Sequence, residues 1–237
     1  MKKIIIFAAC ILSCAQAIAK PQHFFLIGSP GAGKGTFTQF LNRDGEYVHI
    51  SLGDMLRAEI TSGTDTGKQI KTKVEKGELI DNNIVFTLFE EKFTTAIKNH
   101  KKIIVDGMLQ SKEHIEFFDK LLAKYNLEND FNYVYLSIPK ELALERLKSR
   151  LVCHHCNHVT NLVLIKEQKC PKCGTSIGKR LDDQLATINK RIERFHKNVV
   201  PLIQYYVHRA GFVAHDSAKE YNIRIAEYTE SYITDGH

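Results

Sequence analysis

The stretch Phe24-Phe25-Leu26-Ile27-Gly28-Ser29-Pro30-Gly31-Ala32-Gly33-Lys34-Gly35-Thr36 decides the fold of this chain. Its first four residues are apolar and predict a short buried strand, and the glycines after them predict a tight loop. Apolar residues then recur at spacings of three and four, which predicts an amphipathic helix. Because glycines carry no side chain, backbone N–H groups can converge on an anion, and Lys34 adds a mobile positive charge. We therefore predict that this strand, loop and helix bind phosphate groups at the helix N-terminus.

Strands and helices alternate along the rest of the chain. The predicted strands cover residues 24–27, 47–50, 103–105, 133–138 and 212–214. The predicted helices cover residues 68–76, 82–98, 115–125 and 141–150, followed by a long helix from Asp182 with a kink at Pro201 and a closing helix from Ala218. Such alternation predicts an α/β fold, a five-stranded parallel sheet with helices on both faces. The strand that ends on Asp106 should bring a carboxylate close to the phosphates, where it can hold Mg²⁺ through water.

Composition narrows the class of protein. The chain has 237 residues, of which 43% are hydrophobic and 25% are charged, and this excludes collagen-like, low-complexity and disordered chains. The length suits one core domain with room for an insertion. A formal charge of +6 suits an anionic small ligand as well as a polyanion, so it does not by itself indicate nucleic acid.

Residues 1–19 have the pattern of a cleaved secretory signal. Two lysines precede the apolar run 4–12, and Ala17-Ile18-Ala19 supplies small residues at the cleavage spacing. A buried first strand is the alternative, and lipoprotein-type cleavage before Cys14 is a further variant. We expect an exported, periplasmic mature chain of residues 20–237, with a cytoplasmic location as the alternative. No apolar run is long enough to span a bilayer, so we expect no integral membrane segment in the mature chain.

Four cysteines outside the leader form two close pairs. Cys153-x-x-Cys156 and Cys170-x-x-Cys173 are separated by 13 residues, a spacing that can place four thiolates around one structural zinc ion. A pair of disulfides is the alternative, which an exported chain would permit.

Several motifs together resemble bacterial-type adenylate kinases with a zinc-bearing lid. The resemblance rests on the glycine-rich loop, Gly53-Asp54-Met55-Leu56-Arg57, Asp106-Gly107, Arg180-x-Asp182-Asp183 and the four-cysteine insertion. It implies a P-loop NTPase fold with a helical nucleotide-binding insert at residues 51–80 and a lid at residues 151–180. It also implies the reaction ATP + AMP to 2 ADP, with Mg²⁺ and structural Zn²⁺. The implied partners are small-molecule nucleotides and not nucleic acid, and the implied state is a monomer.

The resemblance also implies roles for individual residues, because phosphoryl transfer spreads negative charge that arginine forks can stabilise. The implied catalytic residues are Lys34, Arg146, Arg150, Arg180 and Arg191. The implied ATP-binding residues are Gly31, Ala32, Gly33, Lys34, Gly35, Thr36, Arg150 and Lys219. The implied acceptor-binding residues are Leu52, Arg57, Glu78, Leu79, Ile80, Gly107, Gln110, His114, Arg180 and Arg191.

Three departures from the family pattern cluster in the acceptor pocket. Leu52 replaces a threonine, Gln110 replaces a phosphate-binding arginine, and His114 replaces the glutamine that reads adenine. Three alternatives to AMP kinase activity therefore stay open: an ATP-binding module with weak or no turnover, a kinase for a different small acceptor, and a zinc hairpin that binds nucleic acid.

Overall fold

A computed structural model describes residues 22–161, 169–209 and 211–217. The strands are β1 (His23–Gly28), β2 (Tyr47–Ser51), β3 (Lys102–Asp106), β4 (Phe131–Ser137), β5 (Arg150–Cys153), β6 (Val159–Asn161), β7 (Ile177–Gly178) and β8 (Phe212–Asp216). The helices are α1 (Lys34–Leu41), α2 (Leu52–Ser62), α3 (Asp65–Glu75), α4 (Asn82–Lys98), α5 (Lys112–Tyr125), α6 (Lys140–Ser149), α7 (Leu185–Arg194) and α8 (Val200–Val207). The predicted leader, Lys219 and the closing helix from Ala218 lie outside the described residues.

The predicted five-stranded parallel sheet is confirmed, with the order β2-β3-β1-β4-β8. Strand β1 is central, and its residue Phe24 lies opposite Ile104 of β3 and Asn132 of β4. All four pairings in this sheet are parallel. The carboxyl ends of its strands therefore meet at one edge, which is where open α/β sheets bind their ligands.

Two hydrophobic layers cover the two faces of this sheet. Alternate residues of β1 point to opposite faces, as strand geometry requires. Phe25 and Ile27 join a cluster with side chains of α4, α5 and α8, whereas Phe24 and Leu26 join a cluster with side chains of α1, α6 and α7. Because both faces of the sheet are covered, the sequence of β1 is a continuous apolar run and does not alternate between apolar and polar residues.

Helices α2 and α3 form a closely packed pair after β2. Ser51 caps α2 by accepting a hydrogen bond from the Asp54 N–H at 3.3 Å, and Thr64 caps α3 through the Gly67 N–H at 2.9 Å. A Cβ atom on Gly67 would lie 2.1 Å from the Glu59 carbonyl oxygen, so only glycine permits this approach of the two helices.

Helices α3 and α5 each begin three residues before the predicted positions 68 and 115, and α3 ends one residue before the predicted 76. At two further helices the difference has a clear cause in the structure. The helix predicted for residues 141–150 ends at Ser149, because Arg150 begins β5 and pairs with Asn161 of β6. The long helix predicted from Asp182 begins at Leu185, and a π-helical turn over Phe195–Val199 interrupts it. The Val200 N–H donates to the Phe195 carbonyl, five residues back. Pro201 has no N–H to continue the regular ladder, so the irregularity falls just before it.

A small antiparallel sheet of order β6-β5-β7 carries the four cysteines on and between its strands. None of the helices within residues 22–161, 169–209 and 211–217 is both long and apolar enough to cross a membrane.

Candidate functional site

One cavity of about 960 Å³ opens at the carboxyl edge of the sheet. It is bounded by the loop after β1, the α2–α3 pair, the cysteine-bearing sheet and α7. With the exception of Lys219, which lies outside the described residues, all residues predicted to contact nucleotide line this cavity. They are Gly31, Ala32, Gly33, Lys34, Gly35, Thr36, Leu52, Arg57, Glu78, Leu79, Ile80, Asp106, Gly107, Gln110, His114, Arg146, Arg150, Arg180 and Arg191.

The loop between β1 and α1 has the backbone that an anion site requires. Gly31 and Gly33 have φ values of +86° and +94°, which favour glycine. A Cβ atom on Gly31 would also lie 2.8 Å from the carbonyl oxygen of Ala143. Gly33 precedes α1 without a side chain to cap it, so the N–H groups of the first turn are available to a bound anion.

Lys34 is held inside this loop by carbonyl oxygens. Its Nζ donates to the Gly28 carbonyl at 2.7 Å and to the Ser29 carbonyl at 3.1 Å, and it lies 4.0 Å from Asp106 Oδ1. Burial lowers the pKa of Lys34, Asp106 opposes that shift, and the nearby arginines lower the pKa further. Phosphate oxygens would be stronger partners for this ammonium than neutral carbonyls.

Asp106 ends β3 next to the phosphate loop, as the sequence predicted. Its Oδ1 atom is buried and has no hydrogen-bond partner among the described residues. Burial raises the pKa of Asp106, but Lys34, His49 and Arg180 together bring it below its ordinary value. A buried ionised carboxylate with an unsatisfied oxygen fits a role in holding Mg²⁺ through a water molecule.

Ion pairs with aspartates hold three of the predicted arginines. Arg150 donates from Nε to Asp183 Oδ2 at 2.9 Å and from Nη2 to Oδ1, which is a bidentate pair. The Nη1 atom of Arg191 lies 2.6 Å from Asp182 Oδ2. Arg57 lies between two carboxylates, 2.5 Å from Asp54 and 3.7 Å from Asp182. These pairs orient the guanidinium groups before any ligand binds.

Arg180 is held less firmly than the other arginines. Its Nε atom is buried and has no hydrogen-bond partner among the described residues, and the nearest carboxylate, Asp54, lies 3.9 Å from Nη2. Burial, together with Arg57 and Arg150, lowers the pKa of Arg180 to about 10. A buried cation with an unsatisfied donor is stabilised by a bound anion, so this part of the cavity favours a phosphate group.

Arg146 contacts the loop from the side of α6. Its Nη2 donates to the Ser217 carbonyl at 2.7 Å, and its Nη1 lies 3.5 Å from the Gly31 carbonyl. The structure therefore places Arg146 against the phosphate loop.

Sequence reasoning gave no role to Asp54 or Arg194. Asp54 lies between Arg57 and Arg180, and it pairs closely with Arg57 at 2.5 Å but lies 3.9 Å from Arg180. Arg194 lines the cavity and donates to the Gly77 carbonyl, and Thr187 donates to the Glu75 carbonyl at 2.9 Å. These two bonds join α7 to the end of α3. The spacing of three between Arg191 and Arg194 on one helix was a signal that could have identified Arg194.

The four cysteines of the small antiparallel sheet converge as the sequence predicted. All four are free thiols, their Sγ atoms lie within 4.8 Å of one another, and Cys153 and Cys170 are buried. Backbone N–H groups of Cys156 and Lys172 approach the sulfurs of Cys153 and Cys170 at 3.5 Å and 3.4 Å. A compact set of four sulfurs with N–H donors fits a tetrahedral Zn²⁺ ion.

A glycine-rich loop, a carboxylate on the neighbouring strand and preoriented arginines around one cavity are the parts that phosphoryl transfer between nucleotides requires. The fold and the site thus define a P-loop phosphotransferase of the nucleoside monophosphate kinase class. Comparison with known proteins makes the assignment specific, because the adenylate kinase family model matches residues 26–211. The chain belongs to the adenylate kinase family.

Individual relatives agree with this assignment. An adenylate kinase from Borreliella burgdorferi is 33% identical over 183 residues, which cover 76% of this chain and 83% of the relative. An adenylate kinase from Petrotoga mobilis is 31% identical over 200 residues, covering 83% of this chain and 91% of the relative. One from Caldicellulosiruptor bescii is 34% identical over 188 residues, covering 78% and 86%.

Proposed function

We propose that this chain transfers the γ-phosphoryl group of ATP to AMP and forms two molecules of ADP. The observation that carries the proposal is the meeting of the predicted donor and acceptor residues in one cavity, around buried arginines. An oxygen of the acceptor phosphate forms the new bond to the γ-phosphorus, and the bond to the β–γ bridging oxygen breaks.

The roles follow from position and charge. The loop N–H groups and Lys34 bind the ATP phosphates, and Arg146 and Arg150 approach the same phosphates from α6 and the start of β5. Arg57, Arg180 and Arg191 hold the acceptor phosphate in line with the γ-phosphate. Planar guanidinium groups stabilise the charge that spreads over the transferred oxygens without losing a proton. Asp106 would hold Mg²⁺, which supplies charge neutralisation on the phosphates when bound.

The chain divides into a core, an insert for the acceptor and a lid for ATP. Residues 51–80 form the insert that receives the acceptor, and residues 151–180 form the lid over ATP. Arg150 and Asp183 lie at the base of the lid. Their bidentate pair would anchor the hinge of the lid to the core. Residues 20–237 act as a monomeric, exported enzyme, and residues 1–19 are the signal that directs export. The basic start and the apolar run of residues 1–19 support this part of the proposal.

A coupled assay for ADP tests the proposed reaction. With ATP, Mg²⁺ and AMP, we expect ADP to form at two molecules for each AMP consumed, and no ADP to form when AMP is omitted. Binding of ATP without transfer to AMP would contradict the proposal and would favour a nucleotide-binding module.

The lid cysteines supply a separate prediction. We expect one zinc per chain by metal analysis of protein purified without reductant, and we expect Cys153→Ser to abolish it. Chelation should increase proteolysis within residues 151–180 while the core sheet keeps its protection, because the metal and not a large core holds this small sheet together. Protein without zinc and with four oxidised cysteines would show that disulfides hold the lid instead.

A further inference from the structure

The chain leaves helix α3 directly on the surface of helix α7. Helix α3 ends at Glu75, and Gly77 then turns the chain with a φ of +67°, which favours glycine. A Cβ atom on Gly77 would lie 3.0 Å from Thr187 Cγ2 and 3.2 Å from Arg191 Cγ. The end of the acceptor insert is therefore in close contact with the helix that carries Arg191.

The turn at Gly77 satisfies part of its own backbone. The Glu78 N–H donates to the Lys73 carbonyl at 2.8 Å, and the Gly77 N–H donates to the Val74 carbonyl at 3.1 Å. This is the Schellman arrangement, in which the residues after a helix supply donors to its last carbonyl groups.

Helix α7 supplies the donors for two further carbonyl groups at this turn. Thr187 Oγ1 donates to the Glu75 carbonyl at 2.9 Å, and Arg194 Nη1 donates to the Gly77 carbonyl. Thr187 is buried and Arg194 is half-buried. Because α7 packs on the core sheet, these two bonds fasten the end of the insert to the core.

The charge of Arg194 has no carboxylate partner within the part of the chain that the structure describes. Arg57, Arg150 and Arg191 each pair with an aspartate there. Burial lowers the pKa of Arg194, and the neighbouring charge of Arg191 lowers it further. A partly buried guanidinium is stabilised only where its donors are used, so the bond to the Gly77 carbonyl fixes the direction of this side chain.

The other polar contacts of the insert use groups that a phosphate would also bind. Arg57 lies 3.7 Å from Asp182, and Arg180 lies 3.9 Å from Asp54. An acceptor phosphate bound by Arg57 and Arg180 competes with these carboxylates. The bond of Arg194 goes to a backbone carbonyl, for which no phosphate competes, so it can persist when the acceptor is bound.

Residues 78–80 follow Gly77 directly and line the cavity. We infer that Arg194 is a positioning residue for the acceptor, because its bond to Gly77 holds residues 78–80 in place to receive the nucleotide. This inference rests on the proposed transfer to AMP. The phosphate loop and Arg150 belong to other elements, so ATP binding should not depend on this bond.

Steady-state kinetics of Arg194→Met test the inference. Methionine removes the donor but keeps an unbranched side chain, and we expect KM for AMP to rise at least about 10-fold while KM for ATP and kcat change little. Arg194→Lys keeps a charged donor and should recover much of the loss. Lys190→Met, at an exposed position of the same helix, is the matched control and should leave both KM values unchanged.

Hydrogen exchange without nucleotide separates positioning from a direct effect of charge. We expect faster amide exchange over residues 65–80 in Arg194→Met, with unchanged exchange in strands β1 and β4. Thr187→Val removes the other bond without removing charge, and we expect both KM for AMP and exchange over residues 65–80 to change in the same direction.

Three results would overturn the inference. They are an unchanged KM for AMP in an active Arg194→Met enzyme, an equal rise of KM for ATP, and a raised KM for AMP without faster exchange over residues 65–80. The last of these would show that the charge of Arg194 acts on the acceptor directly. Absence of transfer to AMP in the unmodified enzyme would overturn the proposed function, and the inference with it.

Discussion

Lys34→Met is expected to lower kcat for phosphoryl transfer by about 10³-fold, the upper range for loss of one preorganised charge donor. Methionine has nearly the same length as lysine but cannot follow the charge that develops on the transferred oxygens. The fold should persist, because Lys34 lies outside both core clusters and its neighbours Arg150, Arg180 and Arg191 repel its charge. Steady-state kinetics and the far-ultraviolet circular dichroism spectrum measure the two effects.

Lys120→Met is the matched control for this variant. Lys120 lies on the exposed face of α5, so the same substitution there should leave kcat unchanged. Turnover in Lys34→Met equal to that of the control would remove the phosphate-loop interpretation.

The fold was predictable because its signals are local. Each strand of the parallel sheet is a short apolar run, and the bounds predicted for α4 agree with the structure at both ends. The order β2-β3-β1-β4-β8 could not be predicted from these local signals, because it depends on how the crossover connections cover the two faces of the sheet. The π-helical turn over Phe195–Val199 was also missed. Its position depends on hydrogen bonds displaced by Pro201, and the apolar spacing of three and four continues through it unchanged.

The parts of the site that belong to local sequence motifs could be predicted. The contacts between residues that are distant in sequence could not. The glycine-rich loop, Asp106 and Arg191 of α7 come from recognisable patterns, and the structure brings them to one cavity. The bond between His114 and Asn82 joins positions 32 residues apart in sequence. Spacing rules relate only residues that are close in sequence. The sequence therefore indicated an altered acceptor pocket, but it could not show that both ring nitrogens of His114 contact protein atoms.

Gln110→Arg is the second large change that we expect, and it tests the acceptor phosphate site directly. Arg57 and Arg191 each face at least one carboxylate already, so part of their charge is compensated before AMP binds. A guanidinium at position 110 would add one charge-assisted hydrogen bond at the cavity wall, where Gln110 now bonds its own turn. A charged hydrogen bond contributes about 1.5–3 kcal/mol, so kcat/KM for AMP should rise by roughly 10- to 150-fold while KM for ATP stays the same.

Gln110→Lys separates charge from geometry in this experiment. A lysine brings the same positive charge as a point, without the planar fork that grips two phosphate oxygens at once. We expect it to recover only part of the gain, mainly as a lower KM for AMP, because an ammonium attracts the bound phosphate without fixing its orientation for transfer. Equal gains in both variants would mean that charge alone limits the site. A fall in kcat/KM for AMP in Gln110→Arg would contradict the assignment of position 110 to the acceptor phosphate, because no phosphate bound there is destabilised by an added guanidinium.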